Sequence, residues 1–357
     1  MLNPHEIQAR LEHILPRVEK PGRYVGGEYN QVIKNWDSVQ THVALAFPDI
    51  YDIGVPNLGL AIFYESLNDR PDVLAERVYV PWLDMEAAMR SNEIPLYALE
   101  SRHAVRDFDI LGITLPYETL FTNTLNLLDL SGIPVISANR SIHDPLVIAG
   151  GHATYNPEPM APFIDAFVIG EGEEVIHEIV DLHQHWKGSG GNREELLYLL
   201  TQIPGVYVPR FYEPTYHPDG TFKSMNRLES SVPGTITKRI VGKLPPPPTR
   251  FIVPSIGVVH NRVAVEIMRG CTRGCRFCHA GMVNRPVRER SVDQILSTIQ
   301  SALNQTGFED IALLSLSSSC LLYTSDAADD LPCVNLGGRR FIKKKTQDLA
   351  RVIQSVL

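Results

Sequence analysis

Between residues 42 and 180 the chain alternates short, nearly continuous apolar runs with longer segments whose apolar positions recur every three or four residues. HVALAFPD (42–49) predicts a strand buried on both faces. DILGITL (109–115), PLVIAGG (145–151) and DAFVIGEGE (165–173) predict three more, the last two running into glycine. Between them, Leu58, Ile62, Phe63 and Leu67 stand at helical spacing in NLGLAIFYESLNDR (57–70), and YETLFTNTLNLLDLSG (117–132) predicts a helix closed by Gly132. Apolar strands separated by helices imply a parallel sheet covered on both faces, and ligands of such sheets sit beyond the carboxyl ends of the strands. The glycines fall where a ligand would approach.

From residue 195 the pattern changes. PGVYVPRFYEPTYHPDGTFKSM (204–225) mixes β-type residues with prolines around the turn PDG and predicts a small hairpin. KLPPPPTR (243–250) is a stiff, extended connector and the best place for a domain boundary. Beyond it, RVAVEIMRG (262–270) predicts a strand. SVDQILSTIQSALNQTG (291–307) predicts a helix with Ser291 and Gln294 as a capping box and Val292, Ile295, Leu296, Ile299 and Leu303 as its apolar stripe. DIALLSLSSS (310–319) predicts the next strand, completing one β-loop-α-β unit of the kind that opens a barrel or doubly wound domain.

Composition narrows the setting. The 357 residues, 44% hydrophobic and 21% charged, are those of an ordinary globular chain of about two domains. No run of about eighteen apolar residues exists, so no membrane span is expected, and the start lacks a signal-peptide core. A net charge of −8 offers no general attraction to nucleic acid. Five cysteines, three of them clustered, argue against a disulfide scaffold and for a reduced compartment, and a cytoplasmic location is expected.

The candidate chemistry lies in EIMRGCTRGCRFCHAG (266–281), which sets Cys271, Cys275 and Cys278 at spacings of four and three. Three thiolates can hold three irons of a cubane and leave the fourth open, and an open position is what lets a metal bind a substrate rather than brace a fold. Structural zinc ordinarily takes four closed ligands. His279 adjoins Cys278, and neighbouring residues seldom both reach one tetrahedral ion. Seven arginines against two acids between 262 and 290 give a local excess of five positive charges. That excess suits a phosphate-bearing substrate or an anionic cluster as well as a solvated face, and it does not establish a nucleic-acid partner.

The spacing C-x3-C-x2-C, with the aromatic Phe277 before the last cysteine and a strand before the loop, resembles the radical S-adenosylmethionine superfamily. The resemblance implies a 4Fe–4S cluster on Cys271, Cys275 and Cys278, with S-adenosyl-L-methionine chelated at the open iron. One-electron reduction would release a 5′-deoxyadenosyl radical that acts on an unknown substrate. An electron donor such as flavodoxin or ferredoxin is implied as well. FPDIYDIGVPNLGLAIFYE, LAERVYVPWLDMEA, DFDILGITLPYE, PLVIAGG and DAFVIGEGEE, in this order, resemble the cobalamin-binding-domain members of that superfamily, in particular an uncharacterised bacterial group. Cobalamin is then a further implied cofactor, and methyl transfer through it one outcome. Cobalamin folds often carry Asp-x-His-x-x-Gly after the first strand. This chain has Asp49, Tyr51 and Gly54 there, so tyrosine replaces the cobalt-ligating histidine. Thr114, Gly150 and Gly151 match the later loops loosely, and Gly170, Glu171 and Gly172 match the most telling one. These positions are expected to form one rim. Methylthiotransferases acting on tRNA share the layout but need cysteines in the N-terminal domain, and none precedes Cys271 here.

The expected organisation is therefore α/β. A helical or extended segment (1–40) leads into a Rossmann-like, cobalamin-binding-type parallel sheet domain (41–190). A hairpin and proline-rich connector (191–255) leads to the first β/α units of an incomplete radical S-adenosylmethionine barrel (256–319). Residues 320–357 are expected to be a non-native tail. TGT-CTC-TTA-TAC-ACA-TCT-GAC-GCT-GCC-GAC encodes the CLLYTSDAAD of 320–329, and that DNA resembles the transposase adapter of sequencing libraries. On this expectation the radical chemistry belongs to the parent gene product. The alternative for this chain is a non-catalytic cofactor-binding module or an inactive truncated fragment.

Overall fold

The computed structural model describes residues 2–316. The chain divides into two compact units, one holding residues up to Gly242 with Ile252–His260, the other Lys243–Phe251 with the chain from Asn261 onward. The second unit starts at Lys243, within the proline-rich stretch, and the chain returns once to the first unit at Ile252–His260. The expected tail, 320–357, lies outside the described residues.

The first unit opens with α1 (Pro4–Ile14), started by a complete capping box. The Asn3 side chain accepts from Glu6 N at 3.0 Å, and Asn3 N donates back to the Glu6 carboxylate at 2.8 Å. There follow β1 (Thr41–Phe47), the single turn α2 (Tyr51–Gly54), α3 (Leu58–Asn68), β2 (Val73–Tyr79), α4 (Leu83–Ser91), β3 (Ile110–Thr114) and α5 (Phe121–Leu130). Then come β4 (Leu146–Gly150), β5 (Ala166–Val168), α6 (Val175–Ser189), α7 (Arg193–Leu200) and β6 (Val206–Tyr207). The six strands form one sheet in the order β2-β1-β3-β4-β5-β6, parallel except for β6, which runs antiparallel to β5. The strand order reverses between β1 and β3, the switch point at which doubly wound sheets leave a crevice.

The sheet is larger than the 41–190 expected. Ile7, Leu11 and Ile14 of α1 belong to the same core, and α7 and β6 carry that core past residue 200. The apolar pattern does not reveal β2. All seven of its residues are buried, yet Glu76 and Arg77 stand at its centre, so no continuous apolar run marks it. The Arg77 charge is matched within the fold, and Glu76 is met by a hydroxyl. Arg77 donates to Glu28 at 2.9 Å and to Glu100 at 2.6 Å, and Ser101 Oγ donates to Glu76 at 2.5 Å. Side chains also close the free edge of the sheet. Asn68 both donates to Ala75 O at 2.9 Å and accepts from Ala75 N at 3.0 Å, and the Glu100 carboxylate accepts from Arg77 N at 2.9 Å. An edge saturated by side chains offers no ladder to another chain.

The predicted hairpin is β7 (Tyr212–Tyr216) with β8 (Phe222–Arg227), turning through Gly220 at φ 83°. In the second unit, β9 (Val263–Glu266) and β10 (Met268–Arg269) precede the cysteine loop, followed by α8 (Ala280–Val283), β11 (Arg288–Glu289), α9 (Val292–Thr306) and β12 (Ile311–Leu314). β12 pairs in parallel with β9, Ile311 opposite Val263, and β10 pairs antiparallel with β11. Ser291 caps α9 by accepting from Gln294 N at 3.2 Å, and Gly307 ends it in the left-handed conformation. Ile295, Ile299 and Leu303 pack on Val263 and Val265, whereas Val292, in the first turn, points outward. No helix among the described residues is long and apolar enough to cross a membrane.

Burial, reinforced by the nearby Glu100, pushes the Glu76 carboxyl up from 4.5 to about 8. A raised carboxyl favours the folded state while protonated. Its contribution is complete below about pH 4.5, declines as pH rises, and is lost above about 8. Replacing Glu76→Gln, which keeps the Ser101 contact without a charge, should flatten that decline and leave the variant more stable than the parent at pH 8.5, in thermal melts taken from about pH 6 to 9.

Candidate functional site

The carboxyl ends of the parallel strands bring the predicted loop residues of the first unit to one end of the sheet. Asp49 follows β1, Thr114 ends β3 opposite Gly150 at the end of β4, and Gly170 follows β5. Around the switch point, half-buried Asp49 folds back on its own loop, its carboxylate accepting from Ile50 N at 2.7 Å. Gly151 sits at φ 123°, and a Cβ there would stand 2.4 Å from Leu115 O. Leu115 N donates to Gly150 O at 2.7 Å and Ala153 N to Leu115 O at 3.0 Å, so the β3 and β4 loops cross in contact. Only glycine fits that crossing.

Other members of the predicted set face protein instead. Tyr51 does not line the rim. It is 1% exposed, and its hydroxyl donates to Glu28 at 2.9 Å inside the buried cluster around Arg77. Burial, with Glu28 alongside, pushes its phenol up. Burial also raises Glu28, but Arg77 outweighs it and holds that carboxyl below its ordinary value. The tyrosine in the histidine position is therefore a core residue, because the single turn α2 rolls it under β1 and away from the open end. Gly54 and Gly172 are spacers. A Cβ on the first would meet the Tyr79 ring at 2.5 Å, and one on the second the Phe63 ring at 2.6 Å. The Gly170–Glu171 loop is covered by the chain around Arg239. Arg239 N donates to Ile169 O at 2.8 Å, Glu171 N donates to Arg239 O at 3.1 Å, and the Glu171 carboxylate accepts from Val241 N at 2.6 Å.

The open part of the rim is thus Asp49, Thr114, Gly150 and Gly151, joined by residues that the pattern does not single out. Tyr117, three residues past β3, is exposed, and burial followed by Asp49 pushes its phenol up. His152, next after Gly151, is exposed, and Tyr155 beyond it is raised by burial and then by Glu171. Their signal in the sequence is position alone, since each follows closely on a strand end.

The second unit holds the cysteines on one loop after β10. Gly270, at φ 88°, lets the loop pass the backbone at 284–286, where a Cβ would lie 2.4 Å from Pro286 O. Cys271 is buried, Cys278 half-buried and Cys275 exposed. Two of the sulfurs receive backbone donors, Arg273 N to Cys271 Sγ at 3.4 Å and Gly281 N to Cys278 Sγ at 3.3 Å. Arg285 Nε ties the loop together by donating to Gly281 O at 3.1 Å and Cys271 O at 3.4 Å. Beneath it, Glu266 accepts from Arg269 at 2.8 Å and Arg290 at 2.9 Å; burial raises Glu266, and these arginines hold it below its ordinary value. Three of the seven arginines, Arg269, Arg285 and Arg290, therefore hold the loop and its strand in place. Phe277 is 92% exposed.

Three thiols with backbone N–H groups aimed at two of them suit an iron–sulfur cluster, whose thiolates are tuned by such bonds. Among the described residues no three cysteine, histidine or carboxylate side chains converge closely enough to hold a metal ion, these three sulfurs included. For the first unit, Tyr51→Phe should lower the unfolding free energy by about 1–3 kcal/mol, because it strips a hydrogen bond from a buried carboxylate, as denaturant titration would show.

The family described as radical SAM proteins, N-terminal, matches residues 59–209. An uncharacterized protein of Methanocaldococcus jannaschii is 21% identical over 277 residues, which are 77% of this chain and 49% of that one. Two structures of the radical S-adenosylmethionine methyltransferase TsrM from Kitasatospora setae match with TM-scores of 0.44 and 0.43 and identities of 14% and 15%. One holds cobalamin and a 4Fe–4S cluster, the other a tryptophan substrate and the analogue aza-SAM. Each covers 78% of this chain, and the chain covers 50% and 48% of theirs. The chain spans about half the length of the relatives it matches. The family match runs from α3 to the end of β6, so residues 59–209, which include five of the six strands of the sheet, are similar to the N-terminal region of radical SAM proteins.

Proposed function

We propose that the parent protein is a radical S-adenosylmethionine enzyme and that the chain contributes its cofactor-holding parts. The observation that carries this reading is the loop of Cys271, Cys275 and Cys278, with backbone N–H groups directed at the sulfurs of Cys271 and Cys278. These three residues would hold a 4Fe–4S cluster. When bound, such a cluster supplies the single electron that cleaves the sulfonium of S-adenosyl-L-methionine to a 5′-deoxyadenosyl radical. Gly270 and Arg285 keep the loop in shape, and Phe277, fully outside the core, offers an apolar face beside the last cysteine. On the first unit, the open rim of Asp49, Thr114, Gly150 and Gly151 would take cobalamin. Methyl transfer is the outcome that such a pair of cofactors supports.

Anaerobic reconstitution of the full chain with iron and sulfide should give about four irons per chain and a brown chromophore. Cys271→Ala, Cys275→Ala or Cys278→Ala should each abolish it. Stoichiometric zinc with no cluster formed would overturn the reading. Cobalamin added to the full chain should bind without imidazole ligation from the β1 loop, where position 51 is buried against Glu28. Tyr51→His should therefore leave the cobalt spectrum unchanged. New nitrogen coupling to cobalt in that variant would contradict the inward placement of the side chain.

A further inference from the structure

A cavity of about 460 Å³ opens in the first unit where α4 and α5 end, lined by Met89, Ile94, Pro95, Leu130 and Arg106 among others. Its volume lies within the range of small-molecule sites, roughly 300–1,000 Å³. Helix C-termini ordinarily present spare carbonyls that favour a cation. Here they are already bonded within the protein. At α5, Ser131 N donates to Leu127 O at 3.0 Å, Ile133 N to Leu128 O at 3.0 Å, Gly132 N to Asp129 O at 2.9 Å and Leu96 N to Leu130 O at 2.9 Å. At α4, Asn92 N donates to Ala88 O at 3.1 Å and Ile94 N to Met89 O at 2.9 Å. Arg90 is engaged by Glu86, Asp129 and Asn126, at 2.9, 2.8 and 2.8 Å, its charge matched by the two carboxylates.

Arg106 is different. It is half-buried on the cavity wall, one of its terminal nitrogens lies 3.3 Å from where a Cβ on Gly132 would stand, and it makes no hydrogen bond or ion pair among the described residues. Its charged neighbour Asp107 is the next residue in the chain and does not bond it. A guanidinium fork held beside an apolar wall, with the nearby carbonyls taken, lacks an acceptor of matching shape.

We propose that this cavity binds the carboxylate of a small aliphatic acid, its two oxygens on Arg106 and its chain against Leu2 and Pro95, the apolar lining residues that keep exposed surface. Glu93 and Asp129, also on the lining, oppose a second negative charge, so the site selects monoacids. Titration calorimetry on the full chain with octanoate, 1-octanol and octanedioate tests this directly. Octanoate should bind saturably, about tenfold or more tighter than the alcohol and the diacid, the span of one charge-assisted contact. Arg106→Gln should weaken octanoate by about tenfold and leave the alcohol unchanged, while Arg106→Lys, which keeps the charge but not the fork, should fall between. Thermal melts establish that both variants fold. No saturable octanoate binding, equal affinity for the alcohol, or octanoate affinity unchanged in Arg106→Gln would each overturn the proposal.

Discussion

A guanidinium 2% exposed must be given acceptors by whatever surrounds it, and Arg77 imposes that demand on the centre of an edge strand. Glu28 comes from the chain ahead of β1, Glu100 from the chain after α4, and Tyr51 from the turn after β1, which bonds Glu28 in its turn. One cation therefore ties three separated stretches to β2. Tyr64 of α3 adds its ring, 5.6 Å from the guanidinium. Removing the partner of such a buried charge would strand it, a loss of about 3–5 kcal/mol. The cost of placing charges at the centre of the fold is offset by specificity of arrangement, since no other register of β2 brings Arg77 to both acids.

That arrangement determines what the open end of the sheet can offer. With Tyr51 turned inward and the Gly170–Glu171 loop taken by the chain around Arg239, the accessible rim narrows to the ends of β1, β3 and β4. This is the stretch containing the switch point, where a parallel sheet leaves room for a ligand. Gly151 is indispensable for a different reason from the one its position suggests. It lets the β3 and β4 loops touch, and the exposed side chain next to it is that of His152. The cysteine loop follows a more local logic. Glycines at 270 and 274 supply the left-handed turns, and the Glu266–Arg269–Arg290 cluster anchors the strand from which the loop departs.

Much of this is legible in the residues themselves. Continuous apolar runs mark β1, β3, β4 and β5, helical periodicity marks α3, α5 and α9, and PDG marks the hairpin, because each signal depends only on neighbours in the chain. The spacing of Cys271, Cys275 and Cys278 is equally local, which is why the cysteine loop can be named from the chain alone. Tertiary contacts decide the rest. β2 is hidden by Glu76 and Arg77, which read as solvent-facing until Glu28 and Glu100, far off in sequence, neutralise Arg77. α7 and β6 join the sheet domain only because β5 has an edge for β6 to pair with. Whether a glycine or tyrosine at a strand end meets a ligand or the core depends on the backbone that passes over it. Leu115 beside Gly151, Arg239 beside Gly170 and Glu28 beside Tyr51 all arrive from distant segments, and no local pattern encodes their approach.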